Sequence, residues 1–206
     1  MKALLINASP RANGCTFTAL TELANTLESQ GIEAEIVHVG NTDIRGCIAC
    51  RKCRELGKCV FDDVVNEIAS KLAEADAFVI GSPVYYASPA GGAISFMDRL
   101  FFSTFNIDKT MKVGASVVSA RRGGLSATFD ELNKYFTISG MPVASGQYWN
   151  SIHGNNAAEA AEDGEGMQIM RTLARNMSFL MKSIALGKEA YGLPEKEAPC
   201  RTNFIR

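Results

Sequence analysis

The sequence has almost no excess of charge: 22 acidic residues face 21 basic ones, for a formal net charge of −1. So balanced a chain lacks the basic field that holds a nucleic acid, and no nucleic-acid partner is expected. Histidine is scarce, with two in 206 residues. No Ser/His/Asp arrangement and no pair of carboxylates stands out, so nucleophilic or acid–base catalysis by side chains has no obvious carrier. Long apolar runs are missing too: none approaches the ~20 residues of a membrane span, and no membrane partner is expected. Lys2 leads into a short apolar run rather than the long one of an export signal, so a cytoplasmic location is the expectation. No internal repeat, low-complexity stretch or linker divides the chain.

What the chain does have is enough apolar residues, 47%, for one full core. It also alternates strand and helix signals. The apolar run 3–6 has strand length. Residues 17–30 put Leu20, Leu23, Ala24 and Leu27 on one helical face. Residues 33–39 alternate polar and apolar and predict a second strand. Val64, Ile68 and Leu72 predict a helix over 63–72, followed by a short buried strand at 77–80. A helix over 92–102 turns Ile94, Met97 and Phe101 inward, and a fourth strand follows at 112–118. A helix at 126–136, a short fifth strand at 141–144 and a last helix at 167–184 complete the pattern. Residues 188–206, with Pro194 and Pro199, predict a polar surface tail behind one domain of residues 1–187. Strands separated by helices predict a parallel, doubly wound sheet of five strands. For strand order 2-1-3-4-5 a ligand belongs beyond the carboxyl ends of the strands, between the first and the third.

Three loops fall at that end. The first joins strand one to helix one and reads Asn7-Ala8-Ser9-Pro10-Arg11-Ala12-Asn13-Gly14-Cys15-Thr16. Ser9, Asn13 and Thr16 supply donors, Gly14 allows close backbone approach, and Arg11 supplies a forked cation suited to phosphate oxygens. The helix behind it presents free N–H groups and the positive end of its dipole. A polar turn with a capped helix would read the same way. The second loop, Gly81-Ser82-Pro83-Val84-Tyr85-Tyr86-Ala87-Ser88-Pro89, is stiffened by prolines and carries aromatic faces for a flat heterocycle. Its tyrosines could equally just cover the sheet end. The third, Ser119-Ala120-Arg121-Arg122-Gly123-Gly124, pairs glycines with arginines that suit an anion, or simply starts a helix. Three such loops at one sheet end persuade more than any one of them.

Taken together, Ser9-x-Arg11-x-x-Gly14-x-Thr16, Gly81-Ser82-Pro83-Val84-Tyr85 and Arg122-Gly123-Gly124 resemble the NAD(P)H-dependent FMN reductase family. The resemblance implies a flavodoxin-like three-layer α/β sandwich with a five-stranded parallel sheet in order 2-1-3-4-5. It implies FMN as cofactor and NAD(P)H as co-substrate. Ser9, Arg11, Asn13, Gly14, Cys15 and Thr16 would hold the FMN phosphate; Cys15 would then serve through its backbone N–H. Pro83, Val84, Tyr85 and Tyr86 would line the isoalloxazine ring, and Ser119, Arg122, Gly123 and Gly124 would close its other side. Electrons would pass through the flavin to a quinone, a free flavin, a nitro or azo compound, or a cluster.

The last signal is Cys47-x-x-Cys50-x-x-Cys53 followed by Cys59, a C-x2-C-x2-C-x5-C spacing. Six cysteines without an export signal suggest metal or redox chemistry before disulfides. The spacing resembles the compact motif of the iron–sulfur flavoproteins, a branch of the same family, and implies a 4Fe–4S cluster on Cys47, Cys50, Cys53 and Cys59. Four thiolates also suit zinc, and a plain redox-sensitive loop remains open. Arg51, Lys52, Arg54 and Lys58 would offset a cluster's charge. The segment 46–59 is expected to leave the sheet at the same end as the first loop, placing its cysteines on the flavin side.

Two functional readings result. One is an FMN-dependent NAD(P)H oxidoreductase with a small-molecule acceptor. The other is an iron–sulfur flavoprotein electron carrier with a redox protein partner. The loop 147–154, with Tyr148, Trp149 and His153, and the helix face 92–105 offer surface for a homodimer or homotetramer.

Overall fold

A computed structural model describes residues 1–198, 200 and 202. Pro199 and the other tail positions lie outside the described residues. The chain runs β1 Lys2–Asn7, α1 Cys15–Ser29, β2 Glu33–His38, α2 Cys53–Leu56 and α3 Val64–Glu74. It continues as β3 Ala77–Tyr85, β4 Ser88–Pro89, α4 Gly91–Ser103, β5 Val113–Ala120 and α5 Leu125–Ile138. It closes with β6 Ser151–His153, α6 Ala157–Glu162 and α7 Gly164–Tyr191.

The parallel strands stand in the order β2-β1-β3-β5-β6, with β4 folded back antiparallel on β3. Counting only the parallel strands, this is the expected 2-1-3-4-5. Both faces of the sheet are covered, so its central strands are apolar on both sides. Leu5, Val79 and Val117 pack with Leu20, Leu23 and Leu27 of α1 and Leu173 and Met177 of α7. Leu4, Ile6, Phe78 and Ile80 pack on the other face with Ile68 of α3, Phe96 and Met97 of α4, and Leu132 and Phe136 of α5. Helix starts follow local chemistry. Asp63 caps α3 by accepting from Val65 N, and Asp163 caps α7 by accepting from Gly166 N.

The expected fifth strand is displaced. Val143 makes only an isolated bridge to Gly114. After residues 145–150 loop out, Ser151–His153 pairs with Val118, Ser119 and Ala120. The outer position beside β5 is thus shared by two short pieces, because the exposed edge of β5 can be met twice. The third strand is longer than expected: it runs through Pro83 to Tyr85 and turns at Tyr86 and Ala87 into β4. The last helix runs to Tyr191, past the boundary expected at 187. Among the described residues no helix is long and apolar enough to cross a membrane.

Candidate functional site

Asn7 is paired with His38 on one side and Gly81 on the other, so β2, β1 and β3 reach one level together. Beyond that level the first loop is built from the Asn7 side chain. Fully buried, Asn7 accepts from Ser9 N through Oδ1 at 3.1 Å and donates through Nδ2 to Ala12 O at 3.0 Å. Ser9 Oγ accepts from Arg11 N at 3.2 Å. His38 Nε2 lies 2.8 Å from the Ser9 carbonyl oxygen, which only accepts, so Nε2 carries the proton. Gly40 packs on the same strand of backbone: a Cβ there would collide with the Ser9 carbonyl. The loop delivers the chain to α1, whose Ncap Gly14 provides no side-chain cap and whose first turn has no acidic residue. The free N–H groups and positive dipole end therefore face the cleft uncompensated.

That cleft has a volume of about 190 Å³. Its walls include Ser9, Arg11, Gly14, Cys15 and Thr16 of the first loop, and Pro83, Val84 and Tyr85 of β3. Ser119 and Arg121 close it from β5, and Gly154 and Asn155 from the segment after β6. Thr16 Oγ1 and Ser119 Oγ, both buried, stand 2.8 Å apart and tie the first loop to β5. Arg11 Nη1 donates to Asn155 O at 3.1 Å. Cys15 Sγ reaches Gly154 O and Asn156 O at 3.3 and 3.2 Å, and burial pushes its thiol up, so it is a neutral S–H donor. A larger recess of about 590 Å³ lies at the opposite, amino end of the strands, beside Met1, Asp76 and Lys112. Ligand sites in parallel sheets sit at the carboxyl end, so the smaller cleft is the candidate.

Not every expected residue joins the cleft. Asn13 is exposed at the tip of the Arg11–Gly14 turn. Tyr86 is fully exposed, and with Ala87 it occupies the left-handed region, at φ 52° and 60°. A tight hairpin turn demands that backbone, normally supplied by Gly or Asn. Arg121 takes the wall position expected of Arg122, and Gly123 is not in the wall. Gly124, at φ 93°, packs on the hairpin, where a Cβ would stand 2.9 Å from Ala87 Cα. Missed from the sequence were Asn7, Gly40 and Asn155. Only Asn7 left a signal, since a polar residue ending a buried strand must find partners.

The four cysteines do not share this cleft. Cys47, Cys50, Cys53 and Cys59 line a separate recess of about 20 Å³, room for about one water, against Arg99, Phe102 and Ser103 of α4. Cys47 and Cys50 are exposed, Cys53 is buried and Cys59 half-buried. Burial raises the Cys53 thiol, and Cys50, Cys59 and Cys47 beside it push the same way. Ala49 and Arg51 have φ 53° and 60°, and Lys52 after them is right-handed at φ −61° and ψ −21°. Such a change of hand turns neighbouring N–H groups into an anion-binding hollow, as at many iron–sulfur sites. In kind, four thiols lining one recess are donors that suit an iron–sulfur cluster, or zinc. Among the described residues, however, no three His, Cys, Asp or Glu side chains are already arranged to hold a metal.

A doubly wound sheet with a phosphate-type loop and an aromatic-edged cleft at its carboxyl end defines a flavodoxin-like, flavin-dependent oxidoreductase. The comparisons agree. A family model described as NADPH-dependent FMN reductase matches residues 1–156. An iron–sulfur flavoprotein of Methanocaldococcus jannaschii is 30% identical over 191 residues, 89% of this chain and 99% of the relative. RosB, solved with 8-demethyl-8-formylriboflavin-5'-phosphate, superposes with a TM-score of 0.70 at 17% identity, over 100% of this chain and 92% of its own. An archaeal flavodoxin gives 0.61 at 18% identity, over 88% and 99%. The chain belongs to the NADPH-dependent FMN reductase family and is an FMN-containing oxidoreductase.

Proposed function

We propose that the cleft at the carboxyl ends of the strands holds FMN between NAD(P)H and a small acceptor such as a quinone, a free flavin, or a nitro or azo compound. One observation carries this reading. An uncapped helix N-terminus, the Arg11 cation and the Pro83–Tyr85 strand end all wall one cleft. The phosphate would lie against Ser9, Arg11, Gly14, Cys15 and Thr16, with Asn13 at the turn, because N–H donors and a forked cation are what its oxygens require. Pro83, Val84 and Tyr85 would flank the ring, with Tyr86 at its outer edge. Ser119 and the loop of Arg121, Arg122, Gly123 and Gly124 would close the other side. FMN, when bound, supplies the carrier that accepts a hydride and passes electrons onward. The chain's part is to fix the ring, set the charge around it and admit the two substrates in turn. Steady-state NAD(P)H oxidation with a quinone acceptor tests the reading. Protein that binds FMN but oxidises neither NADH nor NADPH would overturn it.

A second reading is favoured by the four cysteines on one recess and by the iron–sulfur flavoprotein relative. In it, Cys47, Cys50, Cys53 and Cys59 hold a 4Fe–4S cluster, which when present supplies a one-electron carrier, and a redox protein is the partner. Iron, acid-labile sulfide and zinc analysis after anaerobic reconstitution separates cluster from zinc from neither. Cys50→Ser should abolish iron binding and leave FMN bound, because the two recesses share no residue. We further propose a homodimer or homotetramer. The rings of Tyr148 and Trp149 meet tilted at 57°, with centroids 5.0 Å apart, yet both stay exposed, as do Phe102 and Phe105. A monomeric mass by light scattering at micromolar concentration would refute it.

A further inference from the structure

The α4 helix carries two adjacent charged residues, Asp98 and Arg99; Asp98 is exposed and Arg99 is buried. Arg99 is 1% exposed and lies with Met97 and Leu100 among the buried residues of the helix. So buried a cation needs partners on every side. Two are the oxygens of Asp63: Nη1 donates to Oδ2 at 2.6 Å and Nη2 to Oδ1 at 2.9 Å. A third is Phe61 O, at 3.2 Å from Nη2. The fourth is Cys59 Sγ, 3.4 Å from Nε and 3.3 Å from Nη2. Two cations lie over the Phe61 ring, Arg99 at 5.1 Å and Arg45 at 4.7 Å from its centroid.

The Cys59 backbone is held just as closely. Asn66 of α3 accepts from Cys59 N at 2.9 Å and donates to Cys59 O at 3.1 Å. Cys47 and Cys50 are exposed on a loop, whereas Cys59 is clamped at its backbone by α3 and at its sulfur by α4. An arginine recruited only to pair with Asp63 would use its two terminal nitrogens. Here the Nε edge is turned to a sulfur, which is a weak acceptor as a thiol and a strong one as a thiolate.

We propose that Arg99 is the positioning residue of the cysteine site: it fixes the sulfur of Cys59 and raises the reduction potential of the cluster bound there. The inference rests on the cluster reading above. Each added electron makes a thiolate-bound cluster more negative, so N–H groups and a cation aimed at one of its sulfurs favour the reduced form. Asp63 has the opposite influence. It orients Arg99 and also cancels part of its charge.

The test is a spectroelectrochemical titration of the reconstituted, FMN-bound protein, following the cluster signal in the parent, Arg99→Lys and Asp63→Asn. Lysine keeps a cation opposite Asp63 but loses the fork that reaches Cys59. Asparagine keeps the cap on Val65 N and leaves Arg99 less neutralised. At a fixed ambient potential, Arg99→Lys should lower the ratio of reduced to oxidised cluster at least tenfold, 59 mV for one electron. Asp63→Asn should raise it. A merely structural role would lower iron content in both variants and leave the potential of the clusters that form unchanged. Unchanged potentials, or shifts of one sign in both variants, overturn the inference. A parent that binds no iron or sulfide overturns the cluster reading beneath it.

Discussion

Removing the Arg11 side chain tests the phosphate end proposed for the cleft. Arg11 is exposed, and among the described residues its one side-chain hydrogen bond goes to Asn155 O at 3.1 Å. Arg11→Ala should therefore change folding stability by no more than ~0.5 kcal/mol, as surface substitutions do. Its effect on FMN should be far larger. A charge-assisted hydrogen bond lost from a phosphate costs ~1.5–3 kcal/mol, or ~10- to 150-fold in Kd. Flavin fluorescence quenching, titrating apoprotein with FMN and then with riboflavin, reads this directly. Riboflavin has the same ring and no phosphate, so its Kd should be nearly unmoved. Arg11→Lys should fall between, since a point charge replaces the fork. Unchanged FMN affinity would refute the phosphate assignment. Equal weakening of FMN and riboflavin would place Arg11 at the ring or in the loop's packing instead.

Gly40→Ala should destabilise the fold by ~1–3 kcal/mol, the cost of overpacking, and weaken FMN binding; its Cβ meets the Ser9 carbonyl, which moves only with the whole loop. Chemical denaturation and an FMN titration check both effects. Ala87→Gly should stabilise by ~0.5–1 kcal/mol, because relief of a left-handed alanine outweighs glycine's entropy; a thermal midpoint that falls or stays put would count against strain in the hairpin turn. The Asp163 carboxylate, partly buried, accepts N–H bonds from Gly166 and His153 that hold it below its usual 3.8. Its contribution is present above that value and lost as pH falls through the lower folded-state value. The parent should thus lose more stability than Asp163→Ala between about pH 5 and pH 3, and parallel curves by urea unfolding would refute the assignment.

Much of the architecture is local in origin and therefore legible in the sequence. Apolar spacing at Leu20, Leu23 and Leu27, or at Leu173 and Met177, needs no partner to be read, because a helix face is defined by its own period. The apolar run 3–6 and the polar loop to Cys15 likewise announce a strand, a turn and a helix. From these the doubly wound sheet and the converging loops follow by general rules of connection. Motifs also named most of the cleft wall.

What tertiary structure decided are the choices that depend on distant partners. Residues 141–144 and Ser151–His153 are both short runs able to pair, and only the edge of β5 settles that the first makes a single bridge and the second the strand. Asn155 enters the cleft because β6 delivers it to Arg11, 144 residues away in sequence. Gly40 matters because of where the Ser9 carbonyl lies. The cysteine spacing announced a metal-type motif, but its location against α4, apart from the candidate cleft, came from the packing of α3 and α4. Arg99 gave no signal at all, since one arginine in a helix acquires meaning only when Asp63 and Cys59 are brought to it. Periodicity is a property of neighbours along the chain, whereas a buried charge and its partners are a property of the folded whole.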